Sequence, residues 1–480
     1  MTDRLWTDDY IEKNSGRFIE ISDSIWEYAE LAFHEFKSAK LIEDELKRNG
    51  FKVESGLAGI PTAFKGSFSF GSGKPVMGLL GEFDALSGLS QKAGVPEKSE
   101  LIPRGAGHGC GHCALGAGSL AAAVAVKSYM EEFKMDGTVI YFGCPAEEGA
   151  GSKQFMARAG VFDGVDFVYT WHPSTKNMVE SVHSNAIMGA NFIFEGRSSH
   201  AGATPYLGRS ALDACELMSV GCNYLREHVI PEARIHYAYI DAGGTAPNVV
   251  QDHAVVRYEV RAPYVSQVKE LFERVKRVAD GAAMMTDTSV SCELSMAFTE
   301  YIPNTALAAV ADECMKEIGA PRWSEEDYEL AKSFFESYND EVKASAKKDI
   351  AETFGEERLN EKLQRPLDDD THPFSEDKIR LQAGSTDVGD VGYAVPTLNI
   401  NVATACLGNV GHTWQMTAQS SSSLSHKGML TAAKILALSL IRTAKSPETI
   451  SEAKKEVLKR NGGKYSCPLP DSVKPPLETY

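Results

Sequence analysis

The chain has 480 residues, more than one typical domain holds, so two units or one unit with a large insertion are expected. Its 49 basic and 66 acidic residues leave a formal net charge of −17 without any basic block, which excludes nucleic acid and anionic membrane as the main partner. No stretch reaches roughly 18 uninterrupted apolar residues, the N-terminus lacks a signal-peptide or Arg-rich leader pattern, and nine scattered cysteines suit reduced thiols. The expectation is a soluble cytoplasmic protein with no membrane span.

From the N-terminus, residues 8–31 are expected as a helix, with Phe18, Ile21, Ile25 and Tyr28 on one face. A second helix, 37–48, stops at Asn49-Gly50. Strands follow at 51–55 and 62–68, and then strands and helices alternate. Strand 76–80 leads into Gly81-Glu82-Phe83-Asp84-Ala85-Leu86, and a glycine-rich loop precedes helix 115–132. Strand 138–144 ends in Pro145-Ala146-Glu147-Glu148-Gly149, a helix starts near Ser152, and strand 166–170 ends in Trp171-His172-Pro173. Such alternation predicts an α/β fold, a mostly parallel sheet with helices on both faces, whose ligands bind beyond the carboxyl ends of the strands. Asp84, Glu147, Glu148 and His172 are each expected just past such an end.

The texture changes over residues 187–300. Strand 190–194, helix 209–228, strands 235–241 and 254–261, helix 265–284 and strand 289–298 give a βαββαβ order, the ferredoxin-like pattern. This small domain is expected as an insertion into a domain made of residues 1–186 and 301–480. Residues 301–319 resume as helix. Charged segments at 323–365, opened by a capping box at Ser324 and Asp327, are expected as a peripheral, solvated helical insertion. Loop and strand texture returns at 384–390 and 397–402. His412 falls in a loop before helix 427–443, and Ser446-Pro447-Glu448 opens the last helix.

Chemistry concentrates at residues 105–118, where His108, Cys110, His112 and Cys113 lie within six positions of a glycine-rich loop. Thiolate and imidazole at this density suit a zinc-like metal. Cys110-Gly-His-Cys113 equally has the spacing of a thiol–disulfide oxidoreductase. Glu147 and Glu148 follow a buried strand, and adjacent carboxylates there can divide two tasks, one ligating a metal and the other moving a proton. The convergence of Cys110, His112, Glu148 and His172 on one sheet edge favours the metal.

Seven motifs in order resemble the aminoacylase/carboxypeptidase metallopeptidase family, in its hippurate-hydrolase-like amidohydrolase branch, over essentially the whole chain. They are Glu82-Phe83-Asp84-Ala85-Leu86, Gly109-Cys110-Gly111-His112, Pro145-Ala146-Glu147-Glu148-Gly149, Trp171-His172-Pro173, Ser199-His200-Ala201-Gly202, Gly244-Thr245-Ala246-Pro247-Asn248-Val249 and Gly411-His412-Thr413-Trp414. The resemblance implies a pair of divalent metal ions, manganese or zinc with cobalt as a further choice, held by Cys110, His112, Glu148, His172 and His412. It implies Glu147 as catalytic base and Asp84 as the acid that orients a ligating imidazole. The small domain becomes a lid and homodimerisation unit, with His200 reaching a neighbouring subunit's site to stabilise the oxyanion. Asn248 and Arg261 would hold the substrate carboxylate, an arginine fork suiting that task.

The implied activity is hydrolysis of the amide bond of N-acyl or N-aroyl amino acids or small dipeptides. A small-molecule amide is then the substrate, and a paralogous subunit is a further partner. Two other readings stand beside it: a disulfide oxidoreductase using Cys110 and Cys113, and a non-catalytic subunit of a heteromeric hydrolase. Cys113 departs from the aspartate or asparagine usual after Gly-His in that branch.

Overall fold

The computed structural model describes residues 2–478. Its centre is a seven-stranded sheet in the order Lys52–Ser55, Phe64–Phe70, Gly137–Gly143, Val76–Gly81, Phe167–Ser174, Thr397–Ala403, Met178–Val179. The strands from Gly137–Gly143 to Thr397–Ala403 run parallel, and those outside them pair antiparallel. The parallel strands are continuous apolar runs because both faces are covered. Helices Asp3–Tyr28, His112–Phe133, Thr305–Ile318 and Ser423–Ala444 bury Leu79, Tyr141, Tyr169 and Ile400 on one face. Helices Lys153–Arg158 and Val388–Ala394 cover Leu80, Phe142 and Val168 on the other. Two of these helices, His112–Phe133 and Ser423–Ala444, are long and apolar enough to cross a membrane, but 89% and 78% of their most apolar windows are buried inside the fold.

A separate four-stranded antiparallel sheet has the order Ser289–Phe298, Ala186–Glu195, His253–Ala262, Arg234–Asp241, with helices Ala211–Leu225 and Val265–Thr286 packed on it. In chain order this is fourth, first, third, second, the ferredoxin-like arrangement anticipated from the βαββαβ pattern. Alternation in His253–Ala262 is strict: Ala254, Val256, Tyr258 and Val260 are fully buried while the residues between them are half-buried. The chain enters this sheet at Ala186 and leaves it at Phe298, and Phe298 pairs with Ile187.

Three local expectations change. His172 lies inside its strand rather than past it, because Phe167–Ser174 stays paired with Thr397–Ala403 as far as Ser174. The end of the 384–390 segment, expected as loop, is already helical, because helix Val388–Ala394 starts directly after Asp387. The 323–365 segment is helical, as Glu325–Glu336, Asp340–Phe354 and Leu359–Gln364, but it is not simply solvated. Its few apolar residues recur at helical spacing, so Ala331, Phe334 and Ile350 are fully buried against Cys406, Leu407 and Leu424. Tyr338 Oη also donates 3.0 Å to Asn409 Oδ1, so these helices brace the loop that carries His412.

Candidate active site

Three backbone features deliver the site residues to one cavity of about 440 Å³ at the carboxyl end of the parallel strands. Gly111, at φ +80°, closes the glycine loop and lets His112 open the helix His112–Phe133. That helix starts hard against the neighbouring strand end, since a Cβ at Gly116 would stand 2.7 Å from the Glu82 carbonyl oxygen. Ala146 (φ +61°) turns the chain after strand Gly137–Gly143 and sends Glu147 and Glu148 toward the cavity. His412 (φ +57°) is the third left-handed position. For Ala146 and His412, which carry a Cβ, this backbone costs of order 1–3 kcal/mol each. Local bonds offset the cost: Ala146 N–H donates 2.8 Å to buried Glu35, and His412 N–H donates 2.8 Å to the Gly109 carbonyl.

Three groups of potential ligand atoms gather here: Glu82, His112 and Glu147 make up one, and the other two share one thiol. Cys110, His112 and His172 form one, and Cys110, Glu148 and His412 the other, each with its atoms within 4.8 Å of one another. Cys110 Sγ lies 3.4 Å from His172 Nε2, and Glu148 Oε1 lies 3.3 Å from His412 Nε2. Second partners fix the rings. His112 Nδ1 is 2.8 Å from Asp84 Oδ1, whose other oxygen accepts the Glu148 N–H at 2.8 Å. His172 Nδ1 is 2.7 Å from the Pro173 carbonyl, so it carries the proton and leaves Nε2 as an acceptor.

This donor set fits divalent metal. His112 Nε2 and Glu148 Oε1 are buried without a hydrogen bond, each facing only an ion-pair neighbour 3.3 Å away, Glu82 and His412, which leaves both free to ligate. Burial pushes the Cys110 thiol up, so the thiolate needs a cation beside it. Against the same burial, contact with His412 and the charge of His112 take the Glu148 carboxyl down to about 2, leaving it ionised.

Glu147 has the opposite character. Burial first, and then the carboxylates Glu82, Glu148 and Asp387, push its pKa well above the usual carboxylate range. Thr386 Oγ1 donates 2.9 Å to Glu147 Oε1 and fixes its orientation. Beneath it lies a buried ionic bridge. Lys153 Nζ, 0% exposed, stands 2.7 Å from Glu82 and 2.6 Å from Asp387. Glu82 in turn reaches within 3.3 Å of His112 Nε2.

His200, Asn248 and Arg261 are not brought to this cavity within one chain. They sit on the smaller sheet domain, where His200 bridges to Val249 and the Ala201 N–H donates 2.9 Å to the Asn248 carbonyl. His200 Nδ1 accepts the N–H groups of Gly202 and Ala203 at 3.1 and 3.0 Å. Its proton therefore sits on Nε2, a ready donor. Arg261 lies in strand His253–Ala262 with Glu259 3.3 Å away.

Cys113 is fully buried, its Sγ donates 3.6 Å to the Ser420 carbonyl, and burial takes its thiol up to about 12, the reverse of a reactive thiol. His108 is a core residue whose Nε2 lies 2.9 Å from the Ile25 carbonyl. Sequence reasoning missed Glu82, Lys153, Asp387 and Thr386. A lysine opening a helix directly after the acidic turn was the one available signal for the bridge.

A family model described as peptidase family M20/M25/M40 matches residues 78–342. The chain is 40% identical over 472 residues, 98% of each chain, to one of the subunits of p-aminobenzoyl-glutamate hydrolase from Escherichia coli. The chain belongs to peptidase family M20/M25/M40. Another relative is the Xaa-Arg dipeptidase of Mus musculus, 29% identical over 66% of this chain and 72% of that one. Among solved structures, a dinuclear metal binding M20 peptidase of Bacillus subtilis shares the fold at TM-score 0.58, with 16% identity over 90% of this chain and 99% of that one.

Proposed function

We propose that this M20 chain is a metal-dependent amidohydrolase that cleaves the amide bond of N-acyl or N-aroyl amino acids. One observation carries the reading: a thiol common to two ligand groups, with a fixed carboxyl of raised pKa beside them. Cys110, His112 and His172 would hold one divalent ion, and Cys110, Glu148 and His412 a second. Such ions supply Lewis acidity at the scissile carbonyl and lower the pKa of water toward neutrality. Manganese, zinc and cobalt suit the mixed donors, and the thiolate favours the softer ions.

The chain's own groups do the rest. Glu147, aimed by Thr386, takes the proton of the attacking water as its oxygen adds to the carbonyl carbon. Glu147 then gives that proton to the leaving nitrogen. His200 offers Nε2–H to the developing oxyanion, and Asn248 and Arg261 bind the carboxylate of the amino acid. Because these three residues lie away from the cavity of their own chain, the reading uses them in a homodimer, where the small domain of one protomer serves the other. The name of the bacterial relative makes p-aminobenzoyl-glutamate the first substrate to try, and a paralogous chain the alternative partner. Nine unpaired cysteines suit a reducing compartment, the cytoplasm.

The test is amine release from a panel of N-acyl amino acids by chelator-stripped protein, with manganese, zinc or cobalt restored. Turnover that depends on added metal is expected, and Glu147→Gln should lower kcat by about 10²–10⁴ with metal content unchanged. Undiminished turnover by Glu147→Gln would overturn the mechanism. Silence of metal-loaded protein that ends when a paralogous chain is added would replace the homodimer.

A further inference from the structure

The far wall of the active-site cavity carries a carboxylate that the chemistry above leaves unused. Glu180 follows the edge strand Met178–Val179 and lines the cavity together with Tyr301, Asn399 and Asn401. Its Oε2 accepts from Asn401 Nδ2 at 2.7 Å and from Asn399 Nδ2 at 3.2 Å. Its backbone N–H is tied 3.1 Å to the Asn399 carbonyl, and the Asn399 N–H donates 2.9 Å to Tyr301 Oη. The carboxylate is therefore held at one oxygen only. Among the described residues Oε1 accepts no hydrogen bond, and no lysine, arginine or histidine lies within ion-pair distance.

A second acceptor beside it is also unused. The Asn399 amide spends its NH2 on Glu180, so its Oδ1 is left, and that oxygen is buried without a partner. Two neighbouring acceptors without a donor are complementary to one kind of group, a primary amine or ammonium. A carboxylate there would be repelled.

Register places these acceptors relative to the reacting centre. Asn401 is paired with His172, and Met178–Val179 pairs with Asn401 and Ile400 on the other side. Glu180, whose N–H meets the Asn399 carbonyl, lies opposite Asn399 and Thr170, so it stands two strand spacings across and two residues along from His172, roughly 12 Å between backbones. The two side chains line one cavity that takes a para-substituted benzoyl or short aminoacyl group between them. The amino-acid carboxylate is already assigned to Asn248 and Arg261, so the end of the substrate facing Glu180 is the acyl end.

We propose that Glu180 and Asn399 are the specificity-determining residues of the acyl subsite, and that the acyl group of the substrate carries a primary amine, aryl or alkyl, which these two acceptors bind. This rests on the amide-hydrolase reading and names the acyl group that reading leaves open. Glu180→Gln is a directed test, because its amide must turn its oxygen toward the two asparagine NH2 groups. That leaves an NH2 where the free carboxylate oxygen stood, so an acceptor becomes a donor with little change of shape.

The experiment compares p-aminobenzoyl-glutamate with p-methylbenzoyl-glutamate on the metal-loaded protein and reads the ratio of kcat/KM, which a general loss of activity does not move. The wild-type ratio should be at least about tenfold in favour of the amine, and Glu180→Gln should bring it to near one or below. Dipeptides with a free amino group, against their N-acetylated forms, separate an alkyl ammonium from the arylamine. A wild-type ratio near one in both pairs, or a preference unchanged in active Glu180→Gln, overturns the inference. If the wild type cleaves none of these compounds, alone or with a paralogous chain added, the hydrolase reading fails on its own. Calorimetry then decides the subsite: p-aminobenzamide binding more tightly than p-methylbenzamide, with the difference abolished by Glu180→Gln, supports it, and equal or absent binding overturns it.

Discussion

Thr386 Oγ1 donates a 2.9 Å hydrogen bond to Glu147 Oε1, joining two loops 239 residues apart at the carboxyl proposed as the proton carrier. Thr386→Val keeps the shape and removes the donor. An unmet hydrogen bond of about 1–3 kcal/mol converts to a fall in kcat of roughly ten- to a hundredfold, with metal content retained. Thr386→Ser, which restores the hydroxyl, should recover most of the rate. A Thr386→Val enzyme as fast as wild type would show that the bond does not orient Glu147.

The two cysteines of the CxxC should behave in opposite ways. Cys110 belongs to both ligand groups, so Cys110→Ser should lower bound metal and abolish turnover together. Cys113 is buried against the Ser420 carbonyl, and Cys113→Ser should cost about 1 kcal/mol of stability at most and leave activity in place. Metal analysis beside the rate assay separates the outcomes. Activity that needs Cys113 would restore thiol–disulfide chemistry.

Lys153 is fully buried between Glu82 and Asp387. Lys153→Met leaves two carboxylates uncompensated in the interior, and denaturant titration should show a loss of about 3–5 kcal/mol. A loss below about 1 kcal/mol would mean that protonation of Glu82 or Asp387 absorbs the change.

Glu35 gives a pH signature. Burial first, with Asp84 adding, raises its carboxyl to about 8, while an unfolded glutamate titrates near about 4.3. Between those values the folded chain holds a proton that the unfolded chain has lost. Stability from this group is therefore whole at acid pH and falls as pH rises toward 8. Glu35→Gln can still accept the Ala146 N–H, so its Tm should decline less than that of the wild type between about pH 5 and 8. Parallel Tm curves for the two proteins would place the Glu35 titration outside this window.

Much of the fold was legible because burial imposes a period. Alternation in His253–Ala262 and the apolar runs Val76–Gly81 and Gly137–Gly143 mark strands from composition alone. Cys110, His112, Glu147 and Glu148 stood out as polar residues where apolar runs stop, the expected place for chemistry in such sheets. Lys153, Asp387 and Thr386 did not, since each acquires its meaning from a partner more than 200 residues away or from a bridge between two such partners. Glu180 lacked any motif. The one trace was Asn399 and Asn401 at alternate positions of the otherwise apolar Thr397–Ala403, where period 2 sends both to one face.

The small sheet is spliced in at Ala186 and Phe298, which stand on paired strands, and just below them the two connectors are riveted together. Ser184 N–H donates 3.0 Å to the Tyr301 carbonyl, and Tyr301 N–H returns 2.8 Å to Ser184 Oγ. Tyr301 belongs to this doubly bonded connection, and it also lines the cavity beside Asn399. The wall of the cavity at that end and the root of the small sheet are therefore one piece of chain.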